Sequence, residues 1–579
     1  MMHDDPAVVP HDLQLARTSR CIALLLLSNM IYTARNLEAG SMPQLVRPTQ
    51  SSTLDLLSFL FDSPLSLGGD TTVIHAEAAN PGNGVTKGQA RVLTRRIAST
   101  LRTRFGIGQH GSGKDIVIVV STGQFMLPIL FYAILAAGGV ASLASPSFKP
   151  EELSRQIQQG SANLCISCES SVDLLSSAAR LGLPPPYARL CEFPSHRCLV
   201  LKSSPQWRLR MLTLAWERIT VKEELENSLV CLLYSSGTTG APKGNFLFSV
   251  KVSHTNMVAA AYITGESLRE NWKSKGKWPY RTLAHLPTAH IAGVKRYFII
   301  PFYHGGTTFW MSKFDFADFL SFNRSLKITT FFSVPPIILL IAKSPLVKDH
   351  FCTLKAATGG AAPMGKELQI AVSQKLGTTG SVTGGDIDIE DFSGSVGPQL
   401  PLTQIRVVDE SGNDCPPNTP GEVLVRGPIV TKGYFNNPAA DAESFKDSFL
   451  CTGDIGFFQE DRSHIVDRKK ELIKYKGLQV APAELEALLI SHTHIMDAAV
   501  IGVYDEQEST EVPRAYVVAD KSVISAKAIQ EFVKSRLASH KQLRGGVEFL
   551  TAIPKSPAGK ILRKDLRALA ASSTVKAKL

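Results

Sequence analysis

Along much of this chain short apolar runs alternate with segments of helical period. Asp115 to Val120 reads DIVIVV, the kind of run that a strand covered on both faces needs; GQFMLPILFYAILAAGG follows as a helix and VASLAS as the next strand. That is one βαβ unit, and the alternation predicts an α/β architecture with parallel sheets. NLCISCES, around Cys165 and Cys168, alternates in polarity and predicts a half-buried strand. After about Pro401 the texture changes. TQIRVVDESGNDCPPNTPGEVLVRGP sets Gly, Asn and Pro between β-type runs, which predicts a small β-rich subdomain. Beyond the charged stretch VDRKKELIKYKG, helix and strand patterns resume for about 110 residues, enough for a separate small domain. The expected division is a poorly ordered extension over 1–50, a large domain over 51–466 whose β-rich part covers about 400–466, and a small C-terminal domain over 467–579.

Composition narrows the classes. A chain of 579 residues exceeds what one core organises, and 44% hydrophobic with 20% charged residues is an ordinary soluble balance. Its apolar runs all fall short of the roughly 18 residues that span a bilayer. The net charge of +11 is spread along the chain without a groove-reading motif, which argues against nucleic acid and suits anionic small molecules. Nine cysteines without regular spacing fit a reducing compartment. Cys165 and Cys168 form a CxxC with Cys191, His196 and Cys198 downstream, but the second group lacks matching zinc spacing. RTSRCIALLLLSNMIY near the N-terminus has signal-peptide length without a clean cleavage site, and reads as an amphipathic extension or a misassigned start. Ala577-Lys578-Leu579 is a variant of the Ser-Lys-Leu address, so an import receptor and the peroxisome are expected, with the cytoplasm as the alternative.

Three glycine-rich stretches compete as phosphate sites. GIGQHG and GQHGSGKD, before the first strand, approach the dinucleotide and P-loop patterns, yet a helix precedes them and a strand follows, the reverse of what phosphate binding at a helix N-terminus requires. YSSGTTGAPKG has the better context. The apolar strand LVCLLYSS runs into Ser235, Ser236, Gly237, Thr238, Thr239, Gly240 and Lys243, where glycines let backbone N–H groups approach an anion, hydroxyls donate, and a lysine adds charge.

With that loop the chain resembles the adenylate-forming enzymes, which include acyl-CoA synthetases, 4-coumarate:CoA ligases, luciferases and peptide-synthetase adenylation domains. The resemblance covers about Thr71 to Arg567 and rests on separated motifs in family order: YSSGTTGAPKG, LPTAHIAG, TGGAAP, CTGDIG, VDRKKELIKYKGLQVAPAELE and PKSPAGKILRKDLR. ELIKYKGLQVAPAELE is most similar to the coumarate ligase and luciferase branch.

The resemblance implies a large domain of doubly wound sheets plus the β-rich subdomain, and a small mobile α+β C-terminal domain. It implies that an acid and ATP give acyl-AMP and pyrophosphate, and that CoA then displaces AMP. By it the loop holds the ATP phosphates, Gly359, Gly360 and Ala361 lie on the adenine side, Asp454 takes the ribose hydroxyls, and Arg468, Gly477 and Gln479 belong to the hinge region. His290 lines the carboxylate pocket and Lys560 supplies charge at the α-phosphate. Lys474 comes in with its strand when the small domain turns for thioester formation. Mg²⁺ accompanies the nucleotide, with no ligand assigned.

Two departures set a second reading beside that one. Asn245 to Ser249 look like five residues inserted behind the loop. The family's aromatic-Gly-x-Thr-Glu segment is replaced by GTTG, with Leu376 for the aromatic, Thr379 on the threonine and Gly380 for the Glu; the strand before it is missing, which should expose core surface. A degenerate relative that binds nucleotide or acyl-CoA without turnover, or a gene-model variant of an active ligase, accounts for both. The acid is open: IAGVKRYFIIPFYHGG after His290 suits an aryl or medium-chain acid.

Overall fold

The computed structural model describes residues 54–180, 198–201, 212–235, 248–360, 366–376, 395–460, 462–556 and 559–578. The N-terminal apolar stretch, Cys191, His196 and Leu579 lie outside them.

The predicted βαβ unit is the centre of the largest α/β layer. Its strands Asp115–Val120 and Gly139–Ala144 pair in parallel and are buried throughout, and the helix between them, Leu127–Ala136, is buried on every side. Around them the sheet runs in the order Cys198–Leu201, Leu164–Cys168, Asp115–Val120, Gly139–Ala144, Leu229–Ser235, Phe248–Ser253, all parallel but for the last pair. Chain order reverses between the two central strands, the arrangement that places ligands beyond the C-terminal strand ends in open α/β sheets. The half-buried strand expected around Cys165 is fully buried instead. It is an inner strand of this sheet, covered on both faces, so the small Cys and Ser side chains that mimic a wet face are as enclosed as their neighbours.

The rejected glycine motifs have a packing explanation. Helix Lys87–Phe105 starts on a Thr86–Gln89 capping box and stops at Gly106, whose φ of 72° is left-handed. Gly108 follows at φ 86°, and a Cβ there would lie 1.8 Å from the Ala137 carbonyl oxygen, so only glycine fits. Its N–H donates to the buried Asp115 carboxylate at 2.6 Å, which also meets His110 at 2.7 Å. These glycines tie a helix to a strand.

A second sheet orders Gly84–Thr86, Val73–Glu77, Thr307–Trp310 and Arg281–Ala284; a parallel pair, Thr330–Ser333 with Ala356–Gly359, joins through the Thr329 N–H to Arg281 carbonyl bond at 3.0 Å. The β-rich layer is antiparallel, in the order Ser395–Pro398, Arg462–Arg468, Phe449–Gln459, Gly421–Arg426, Gln404–Val408. Its strand Arg462–Arg468 runs across the expected domain boundary. The small C-terminal domain has the sheet Ile495–Asp505, Thr510–Ala519, Val547–Phe549 and a core of its own around Leu485, Val500, Val517 and Ile529.

His75, His254, His285 and His304 are buried. Loss of solvation lowers their imidazole pKa values to about 3, 4, 4 and 3, from an ordinary 6.5. Between pH 6.5 and 4 the unfolded chain therefore holds protons that the folded chain lacks, and stability falls with pH by up to about 1.4 kcal/mol per unit for each histidine. The urea midpoint is expected to be clearly lower at pH 5 than at pH 7.5; an unchanged midpoint would contradict neutral burial.

Candidate active site

Strand Leu229–Ser235 leads into the loop expected to hold phosphate, whose residues Ser236, Gly237, Thr238, Thr239, Gly240 and Lys243 lie outside the described residues. Its stem is described. Ser235 pairs with Phe248 and Tyr234 with Ser249, so two of the five residues that looked inserted are the first rungs of the returning strand. That strand is clamped on its other edge, where the Ser249 carbonyl accepts from Phe435 N–H at 2.8 Å and Lys251 N–H donates to the Gly433 carbonyl at 3.0 Å. At this end the apparent insertion lengthens a hairpin.

Of the residues expected on the adenine side, Gly359 ends strand Ala356–Gly359 and Gly360 follows it. Gly359 stands opposite Ser333, and Gly360 N–H donates to the Ser333 carbonyl at 3.2 Å. Ala361, Thr379 and the whole GTTG region lie outside the described residues. Ser333 is held by a residue that motif reading missed. His285 Nδ1 lies 2.9 Å from the Leu283 carbonyl and must carry the proton there, so its Nε2, 3.0 Å from the Ser333 hydroxyl, is the acceptor. Its stacking on Phe331 fixes the ring. The available signal was a second histidine in LAHLPTAHIAG, at the C-terminal end of a strand.

His290 caps the helix that begins Ile291–Gly293 and continues as Val294–Ile299, with extended backbone angles of −114° and 146°. Gly293 allows that helix to sit on the preceding turn, since a Cβ would come within 2.4 Å of the Pro287 carbonyl oxygen. Lys560 belongs to the far end of the chain. Its turn is built by Ser556 N–H to the Lys560 carbonyl at 2.8 Å, Lys560 N–H to the Ser556 hydroxyl at 3.2 Å, and a Lys555–Ile561 bridge. Gly559, at φ 79°, lies so close to Pro336 that a Cβ would be 2.9 Å from its ring. Pro336 follows three residues after Ser333. The turn therefore rests beside the end of strand Ala356–Gly359, and the charge of Lys560 acts on His290. Removal from water, with that positive charge second, lowers the His290 pKa to about 4, so the imidazole is neutral near pH 7.

Asp454 and Arg468 are cross-strand partners in the β-rich sheet, with carboxylate and guanidinium 3.7 Å apart. Thr452 orients the aspartate: its hydroxyl donates to the Val423 carbonyl at 2.6 Å and accepts Asp454 N–H at 3.1 Å. The next residue, Lys469, bonds back to the Gly453 carbonyl and pairs with Glu422 at 3.0 Å. The buried Asp467 carboxylate accepts Arg468 N–H at 2.7 Å and Ala483 N–H at 2.9 Å, joining the strand that carries Arg468 to the helix Pro482–Ser491.

Lys474, Gly477 and Gln479 share the hairpin Ile473–Tyr475 and Leu478–Val480. Lys474 opposes Gln479, and the connecting Lys476 and Gly477 both have positive φ, 46° and 81°, the type I′ pattern that matches strand twist. Lys474 N–H and carbonyl bond Glu511 and Thr510, so the hairpin packs on the small domain's own sheet. The fold thus seats the Lys560 turn on Pro336 and brings Asp454 to Arg468, while Lys474 lies in a hairpin bonded to the small domain's own sheet. Among the described residues no three His, Cys, Asp or Glu side chains are grouped to hold a metal ion.

A family model described as AMP-binding enzyme matches residues 67–435, and one described as AMP-binding enzyme C-terminal domain matches 484–560. A protein of Emericella nidulans named as an acyl-coenzyme A synthetase is 44% identical over 539 residues, 90% of this chain and 96% of its own length. A 4-coumarate–CoA ligase of Nicotiana tabacum is 36% identical over 490 residues, 80% of this chain and 86% of the tobacco protein. ATP-bound MatB of Rhodopseudomonas palustris has the same fold, with a TM-score of 0.74 at 23% identity, covering 89% of this chain and 99% of that one.

Proposed function

This chain belongs to the AMP-binding enzymes, and from that premise we propose how its residues divide the work. It is an acid–thiol ligase of the acyl-CoA synthetase type, acting through an acyl-adenylate. The acid's carboxylate attacks the α-phosphorus of ATP, pyrophosphate leaves, and the mixed anhydride is then opened by the CoA thiol with loss of AMP.

The observation that carries the assignment of residues is the seating of the Lys560 turn on the large domain, with Gly559 against Pro336, where the Lys560 charge also acts on His290. A carboxylate attacking a phosphate crowds negative charge in the transition state. The ammonium of Lys560, brought in on a turn rather than fixed in the large domain, supplies charge where it develops. His290, neutral beside it, can donate one N–H to the carboxylate without competing for the role of counter-ion. Asp454 accepts the ribose hydroxyls while Arg468 holds its orientation. Lys474 serves the second step, when the small domain turns about Lys469 and Lys470. Mg²⁺ would accompany the ATP phosphates and neutralise part of their charge, and the described residues assign it no cluster of protein ligands.

The acid is aryl or medium-chain. Tyr297 and Phe298, on the helix that follows His290, pack against Trp310 and make its surroundings aromatic, and the name of the tobacco relative points to the same class. Peroxisomal delivery through Ala577-Lys578-Leu579 belongs to this proposal, supported by the match of that tripeptide to the import address. The test is a panel of cinnamic, phenylacetic and medium-chain acids with ATP and CoA: at least one of them should yield pyrophosphate, AMP and thioester in equal amounts, whereas a silent panel would count against the assignment.

A further inference from the structure

The helix Pro335–Lys343 touches the small domain at both ends. Its start carries Pro336, on which Gly559 of the Lys560 turn rests. Its last residue, Lys343, sends its ammonium into the end of helix Pro482–Ser491, donating to the carbonyls of Ile490 at 2.9 Å, His492 at 3.3 Å and Ile495 at closer range. The last carbonyls of a helix have no partner within it and form its negative pole, so a cation from another domain both satisfies them and complements the dipole.

The contact continues toward the active site. Ile495 opens the strand Ile495–Asp505, and Asp497 in that strand pairs with Lys555 at 2.5 Å. Lys555 in turn begins the bridged turn that presents Lys560. A path of bonded groups therefore runs from Lys343 through the Ile495 strand to the Lys560 turn; it starts on this helix, and the turn at its far end rests on Pro336 of the same helix.

We propose that Lys343 is a positioning residue for acid activation: it latches the small domain in the arrangement that holds Lys560 beside His290, and releases it for thioester formation. This rests on the ligase reading above. Lys343 does not touch the nucleotide or acid; it acts by holding the domain that carries Lys560.

The test uses the full-length protein with Lys343→Met and Lys343→Arg. Lys343→Met keeps the helix and most of the side chain's length but cannot donate. It should lower acid-dependent pyrophosphate release about tenfold, the equivalent of one net charge-assisted hydrogen bond at this half-exposed site, while CoA thioester formation from supplied acyl-AMP stays at the wild-type rate. Lys343→Arg should recover most of the first step. Without substrates, trypsin should cut after Lys469 or Lys470 faster in Lys343→Met than in wild type, because the hinge spends more time undocked. The proposal is overturned if both half-reactions fall together, if the first is unaffected, or if the cleavage rates are equal. The cleavage comparison reads docking without catalysis, so a wild-type protein that releases no pyrophosphate would sink the ligase reading and leave the latch to be judged on its own.

Discussion

Replacing Lys560 by alanine is expected to lower acid-dependent pyrophosphate release by roughly a hundred- to a thousandfold, the range for losing one preorganised donor at a developing charge, while leaving thioester formation from supplied acyl-AMP near its wild-type rate. The asymmetry follows from where the residue sits. Its turn is held by Ser556 and by the close fit of Gly559 on Pro336, so the ammonium is delivered beside His290 only while the small domain is docked in this way. In the second step the small domain is expected to have turned, and Lys560 has no part in the attack of the thiol. Rate measurements on each half-reaction separately decide the matter. Equal losses in both steps would reduce Lys560 to a structural role, and no loss in the first would remove it from the chemistry. Alanine also removes the positive charge that helps to lower the His290 pKa, so that pKa should rise from about 4, a shift that a merely structural lysine elsewhere would not produce.

The second large effect is expected at Asp454. Alanine there should lower kcat/KM for ATP by roughly a hundredfold, because hydrogen bonds from two ribose hydroxyls to a charged acceptor are worth about 1.5–3 kcal/mol each and the two are not fully additive. The loss should appear mainly in KM, since the ribose is bound alike before and during phosphoryl attack. Asp454 is buried, and it is set by Thr452 and by the Arg468 guanidinium 3.7 Å away. A milder Asp454→Asn variant guards against disruption of that pair. The diagnostic substrate is 2′-deoxy-ATP: wild type should use it markedly less well than ATP, and Asp454→Ala should treat the two alike. A variant that still discriminates would move the ribose contact to another residue.

Much of this site was legible because its chemistry is written in contiguous residues. A strand running into hydroxyls, glycines and a lysine names a phosphate loop from its own composition, and the wrong order of helix and strand around Gly106 to Gly111 was enough to dismiss a false one. The structure then gave those glycines their reason, a helix stop at Gly106 and a backbone contact at Gly108. Convergence was not legible in the same way. Nothing in LPTAHIAG or PKSPAGK states from composition alone that His290 and Lys560 meet; family resemblance assigned each a role, and the meeting is a matter of tertiary packing. His285 was hidden because a buried neutral imidazole bonded to a carbonyl and a hydroxyl leaves no motif. Lys343 was hidden for a stronger reason: its partners are backbone carbonyls, which carry no residue signature. The strand at Cys165 was misjudged in burial because small polar residues imitate a wet face wherever helices cover both sides. Asn245 to Ser249 looked like a loop insertion because a count of residues does not show register, and pairing of Phe248 with Ser235 extends the strand by two positions.

The most direct measurement follows oxygen. A carboxylic acid labelled with ¹⁸O in its carboxylate, turned over with ATP and CoA, should pass one labelled oxygen into AMP, because the oxygen that attacks the α-phosphorus stays on AMP when the thiol takes the acyl group. Pyrophosphate should remain unlabelled. Label in inorganic phosphate with ADP as the nucleotide product, or thioester formed without label in AMP, would contradict the acyl-adenylate route on which this account of Lys560, His290 and Asp454 rests.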